Sequence, residues 1–167
     1  KYAVYGGLCL LALANVHTYD LITVGTVWTV WFIFSCIVNR TINTRTLFLS
    51  LIAVAISIPA VGYQYYLYST DPIYNARANT VIASPVLLSY ICGFGIVFAG
   101  AILGSYVAYK RHPISMRVPA QYLPTGWAVV GFVVAYIPVA QQRKLIRGVH
   151  IPLCILCAMG LSWLVGK

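Results

Sequence analysis

"LITVGTVWTVWFIFSCIV", residues 21–38, runs for 18 residues without a charge. As a helix it would rise about 1.5 Å per residue, or roughly 27 Å, close to the hydrocarbon thickness of a bilayer. Such a run reads as a membrane-crossing helix, because backbone groups in lipid must be satisfied within their own segment. Five further apolar runs flank it, at 2–16, 47–68, 86–109, 126–140 and 150–166. Each is too long for a barrel strand. The expected fold is all-α: a polytopic transmembrane helix bundle of about six spans, the first short enough to be truncated, forming one domain over 1–167.

Composition agrees. The chain of 167 residues is 61% hydrophobic and 8% charged, whereas soluble domains carry about 25% charged residues. Eleven Lys and Arg face two acids, Asp20 and Asp71, for a net charge of +9. The cations are scattered between apolar runs, a pattern that suits anionic headgroups and not nucleic acid. The first residue is Lys1, and the chain reads as a fragment of a longer protein. Cys154 and Cys157 form a C-x-x-C. One turn apart inside an apolar run and without a second ligand pair, they read as small hydrophobes, so no metal and no cofactor is expected.

Polar breaks separate the runs. Six crossings would put Lys1, Arg40, Arg45, Lys110, Arg111, Arg117 and Lys167 on one side, and Arg77, Arg143, Lys144 and Arg147 on the other with both acids. Seven cations against four make the first side cytoplasmic by the positive-inside rule. Loops 39–46 and 110–124 are then cytoplasmic, and loops 69–83 and 141–149 lie on the outer face.

The stretch "VAQQRKLIRGVHIPL" (139–153) therefore stands out, with a cationic cluster on the side where cations should be scarce. Gln142, Arg143, Lys144 and Arg147 are candidate phosphate or lipid ligands, since guanidinium forks match phosphate oxygens and Lys adds a point charge. Arg143 and Arg147, four apart, would share one helical face. A generic headgroup contact explains them equally well at this level. His17, Asp20, Asp71, Asn75, Arg77 and Asn79 fall on the same side and are candidates for a substrate loop. For Asp20 a helix N-cap is the favoured role, with His17 at the interface. Asp71–Pro72 reads as a turn start, with Arg77 as a neighbour for its carboxylate. Tyr63, Tyr65, Tyr66 and Tyr68 look like an interfacial belt, and Gly100-x-x-x-Gly104 looks like a helix-packing motif. His17, His112 and His150 all stand at span ends, which argues against haem held between facing helices.

Three stretches in order, "ALANVHTYDLITV" (12–24), "DPIYNARANTVIASPVLLSYICGFGIVFAGAILG" (71–104) and "YIPVAQQRKLIRGVHIPLCILCAMGL" (136–161), carry a resemblance. The chain resembles the C-terminal membrane portion of bacterial polytopic GT-C-type glycosyltransferase-like proteins. The shared features are His17-x-Tyr19-Asp20, the Asn-rich loop into Ser84–Pro85, Tyr90-x-x-Gly93-x-Gly95 and Tyr136-x-Pro138 before the basic cluster and Gly148-x-x-x-Pro152. Two positions depart from the pattern: Lys144 stands for an arginine and Phe94 for a tyrosine. The resemblance implies a bacterial inner-membrane protein that uses a polyprenyl-phosphate-linked sugar, with Arg143, Lys144 and Arg147 on the phosphate. It also implies a catalytic carboxylate in a first outer loop that nothing here matches, and so outside this chain. The competing expectation is a non-catalytic transmembrane subunit that stabilises a larger respiratory or photosynthetic complex. Expected partners are membrane lipids, a polyprenyl phosphate carrier under the first reading, and other membrane subunits under the second.

Overall fold

The computed structural model describes residues 1–111 and 122–166. His112, Arg117 and most of the 110–124 stretch fall outside them, as does Lys167. The described residues form helices α1 (Tyr2–Val16), α2 (Thr18–Asn39), α3 (Thr44–Thr70), α4 (Pro72–Asn79), α5 (Leu87–Arg111), α6 (Leu123–Val134) and α7 (His150–Val165), with a short 3-10 turn at Gln142–Lys144. The fold is all-helical. Three helices, α2, α3 and α5, are long and apolar enough to cross a membrane; α1, α6 and α7 are shorter apolar helices.

Local chemistry sets several boundaries. Asn43 caps α3, its side-chain oxygen accepting from the Thr46 N–H at 3.0 Å. Asp71 caps α4, accepting from the Ile73 N–H at 2.8 Å and the Tyr74 N–H at 3.4 Å, with Pro72 in the first helical turn. Asp and Asn suit these positions because a short side-chain acceptor reaches the unpaired N–H groups of the first turn. Asp20 does not act this way. The N-cap of α2 is His17, without a side-chain bond, and Asp20 lies inside the first turn.

Two expectations need correction. The run at 126–140 stops being helical at Val134. A helical Pro138 would lack an N–H and press its ring against the carbonyl four residues back, which is that of Val134. The chain instead turns, with Ile137 N–H bonding the Val134 carbonyl at 3.1 Å. Second, the loop at 69–83 is not a plain turn but contains α4. Within α5, Gly95 adopts φ 51° and breaks the helical path; glycine takes this left-handed backbone without a Cβ clash. Pro59 lies within α3, which continues through it.

Helix pairs α1–α3 and α5–α7 pack most extensively, with α6 joining α2 to α7. The α5–α7 seam is built on small residues. A Cβ added to Gly104 would fall on the Leu156 carbonyl, and one on Gly160 would lie 2.8 Å from the Gly100 carbonyl oxygen. The Gly100/Gly104 motif is therefore used within the chain, bringing two backbones together as small residues do in membrane bundles. Ala101, Ala128, Val149, Leu153 and Leu156 form the adjoining core. The ring of Phe132 meets Tyr90, Phe94 and Phe98 edge-on around it. Small side chains are buried, as at Ala14, Ala60 and Ala108, while Leu88, Ile96 and Ile102 face outward. That inside-out distribution suits a lipid surround.

One end of the bundle is polar. Ser84, before α5, donates to the Ala135 carbonyl after α6 at 2.6 Å. Thr23, near the start of α2, donates to the Leu145 carbonyl before α7 at 3.0 Å. The ends of α1, α3 and α6 and the starts of α2, α5 and α7 thus gather around α4 and the 135–149 segment.

Candidate functional site: a cationic cavity at the polar end

A cavity of about 620 Å³ opens at this end. Its wall comes from four places in the chain. The α1–α2 junction supplies Asn15, His17, Tyr19 and Asp20; α3 supplies Tyr63, Gln64 and Tyr68; α4 supplies Tyr74 and Arg77; the segment before α7 supplies Lys144 and Arg147. Three cations and one carboxylate line it, an excess of two positive charges if His17 is neutral.

The positions of the cations have local causes. Arg77 is held on α4, which the Asp71 cap starts and which two amides brace. Asn75 Nδ2 donates to the Tyr68 carbonyl at 3.1 Å, and Asn79 Nδ2 donates to Asn75 Oδ1 at 2.9 Å. The Tyr68 and Tyr74 rings meet edge-on, centroids 6.1 Å apart, closing α4 against α3. Lys144 Nζ sits 5.0 Å from the centre of the Tyr19 ring, a cation–π distance. Burial, and then the charges of Arg77 and Arg147, hold the Lys144 ammonium below the usual lysine range. Arg147 Nη1 lies 3.5 Å from His17 Nδ1.

Gln141 fastens the two cationic segments together. Its side chain is buried, and Nε2 donates to the Thr80 carbonyl at 2.7 Å and the Arg77 carbonyl at 2.9 Å. Main-chain bonds run beside it, from Ile82 N–H to the Ala140 carbonyl at 2.7 Å and from Arg143 N–H to the Ile82 carbonyl at 3.2 Å. Gln141 Oε1 is buried and accepts no hydrogen bond among the described residues.

Of the residues singled out in the sequence, His17, Asp20, Arg77, Lys144 and Arg147 share the cavity. Five do not line it. Asp71 is spent on its helix cap and Asn75 and Asn79 on bracing α4. Gln142 Oε1 accepts from the Ser84 N–H at 3.2 Å. Arg143 is exposed and lies outside the cavity wall. Because residues 142–144 form a 3-10 turn and not an α-helix, Arg143 and Arg147 do not stack one above the other as on an α-helical face. Sequence reasoning missed Gln141, Gln64, Asn15 and Tyr74 as parts of this end. Nothing local separates Gln141 from Gln142; only the tertiary fold buries one of them. Among the described residues no three His, Cys, Asp or Glu side chains group as metal ligands would.

No protein-family model matches the chain, and neither a curated protein nor a solved structure matches it.

Proposed function

We propose that this chain is the membrane-embedded part of a glycosyltransferase-like protein that holds a polyprenyl-phosphate-linked sugar, with Arg77, Lys144 and Arg147 on the phosphate. The observation that supports this most is the convergence of those three cations, from α4 and from the segment before α7, on one cavity at the end of an apolar bundle. Among the described residues none of the three is paired with a carboxylate. A phosphate at a bilayer surface supplies the missing anion, and two guanidinium forks with an ammonium match its oxygens. The polyprenyl carrier and the sugar come from the resemblance of the 12–24, 71–104 and 136–161 stretches.

In this reading all six apolar helices cross or dip into a bacterial inner membrane. Lys1, Arg40, Arg45, Lys110 and Arg111, at the opposite end of the bundle, are cytoplasmic and the cavity opens on the outer face. The three shorter helices fit because they lie beside α2, α3 and α5 and a bilayer thins locally around short spans.

The test is binding of farnesyl phosphate to the chain in phosphatidylcholine nanodiscs, with farnesol as the uncharged analogue. The phosphate form binds, its affinity falling with added salt, and farnesol binds at least about tenfold more weakly, because charge-assisted hydrogen bonds are worth about 1.5–3 kcal/mol. Equal affinity for the two would overturn the reading.

A further inference from the structure

The α5–α7 seam does not stay closed along its length. At Gly104 and Gly160 the two backbones leave no room for a Cβ. Further toward the end of the bundle opposite the cationic cavity, a crevice of about 480 Å³ opens between the same two helices, a volume within the range of pockets that take a small ligand. Val107, Ala108 and Arg111 of α5 line one wall, and Ile155, Ala158 and Met159 of α7 line the other. Spacings of three and four put each set on one face of its helix. Ala108 and Ala158 are small, and larger side chains at these positions would fill the space. Arg111, the last residue of α5, is the one charged group among the described lining residues. The crevice is therefore apolar along its length and cationic at its mouth.

We infer that this crevice holds an anionic phospholipid, its phosphate on the Arg111 guanidinium and part of one acyl chain between α5 and α7. Helix α5 is long and apolar enough to cross a membrane, so its last residue stands at the headgroup layer, where a guanidinium keeps its charge in water while its stem lies on apolar surface. The Arg111 side chain is exposed and has neither a hydrogen bond nor an ion pair among the described residues. No acidic side chain of this chain supplies the anion, because the two acids, Asp20 and Asp71, both stand at the other end of the bundle. The same distribution disfavours a second copy as the occupant. This end carries Lys1, Arg40, Arg45, Lys110 and Arg111, and two such ends repel each other. A phospholipid brings both missing parts in one molecule. Its phosphate oxygens match the guanidinium fork, and its chain fills the apolar space below. The inference does not rest on the polyprenyl-phosphate reading, which concerns a different cavity at the opposite end.

The test uses the full chain in phosphatidylcholine nanodiscs doped with a small fraction of phosphatidylglycerol that carries a photoreactive diazirine in its acyl chain. Cross-linked residues are mapped by peptide mass spectrometry. Labelling concentrates on Val107, Ile155 and Met159, against the excess of zwitterionic lipid. Arg111→Gln lowers the yield there about tenfold, as the loss of a charge-assisted hydrogen bond does. Ala158→Phe lowers it comparably while leaving every charge in place, because the ring fills the crevice from its exposed side; Ala158→Leu serves if the phenylalanine variant does not fold. Lys110→Gln, whose side chain lies outside the crevice wall, changes the yield by less than about threefold, through screened charge alone. Equal losses in Arg111→Gln and Lys110→Gln would mean a diffuse basic surface and overturn the inference. Labelling spread evenly over the outward-facing helix surfaces, or unchanged in Ala158→Phe or in Arg111→Gln, would overturn it too. None of these outcomes bears on the cationic cavity.

Discussion

Arg147 and His17 stand 130 residues apart in the chain, and the guanidinium Nη1 lies 3.5 Å from the imidazole Nδ1. A guanidinium only donates, so the contact is a hydrogen bond in the His17 tautomer whose Nδ1 accepts. It joins the segment before α7 to the α1–α2 junction, across the mouth of the cavity. Together with the Gln141 bonds to Arg77 and Thr80, it places cations from two distant parts of the sequence around one space.

Lys144 gives the site a pH dependence with a defined sign. Burial and two neighbouring cations disfavour its charged form in the empty cavity. A bound phosphate favours that form and raises the pKa back toward the ordinary lysine value. Binding therefore takes up a proton in the alkaline window between the depressed pKa of the empty site and the raised pKa of the complex. Farnesyl phosphate affinity falls as pH rises through this window, which begins below the titration of an ordinary lysine. Lys144→Arg, which stays charged, removes that fall. Affinity titrations at stepped pH check both statements.

Gln141 is the joint between α4 and the basic segment. Gln141→Met keeps the volume but leaves the Arg77 and Thr80 carbonyls without their donor. The expected cost is about 1–3 kcal/mol. Arg77 also loses its anchor, so farnesyl phosphate affinity drops in the folded variant as well. Thermal unfolding in detergent and binding in nanodiscs read the two effects separately. A variant with unchanged stability and affinity would show the joint to be dispensable.

The glycines divide by what surrounds them. Gly104→Ala drives a methyl into the Leu156 backbone, which cannot move away as a side-chain tip could; overpacking of this kind costs about 1–3 kcal/mol or more. Gly62, in α3, has nothing within 4 Å of an added Cβ. Gly62→Ala therefore stabilises by about 0.5–1 kcal/mol through the lower backbone entropy of alanine. Opposite shifts in the unfolding midpoint are the expected result.

The helical fold was legible in the sequence because lipid-compatible helices announce themselves as uninterrupted apolar runs, of which 21–38 is the clearest. The early end of α6 was legible too, had the clash of Pro138 with the carbonyl four residues back been applied to the run at 126–140. The break at Gly95 was not, since glycines in membrane helices more often serve close packing, as Gly100 and Gly104 do here. For the site, chemistry was readable but membership was not. The basic cluster at 142–147 was visible as a cluster, yet only a 3-10 turn decides that Lys144 and Arg147 enter the cavity while Arg143 does not. Asp20 read as a helix cap because it stands before an apolar run; His17 holds that position, which leaves the carboxylate unspent. Gln141 carried no signal, because burial of a glutamine follows from α4 folding back onto it, and α4 itself lay in what read as a loop.

The most direct test of the central claim is an alanine series at the four cations of the polar end, measured as farnesyl phosphate affinity in nanodiscs. Arg77→Ala, Lys144→Ala and Arg147→Ala each weaken binding about 10–100-fold, the range expected for a lost charge-assisted hydrogen bond. Arg143→Ala, outside the cavity, changes it by less than about threefold, through screened long-range charge alone. Equal losses at all four positions would mean that a diffuse basic surface, and not this cavity, holds the phosphate.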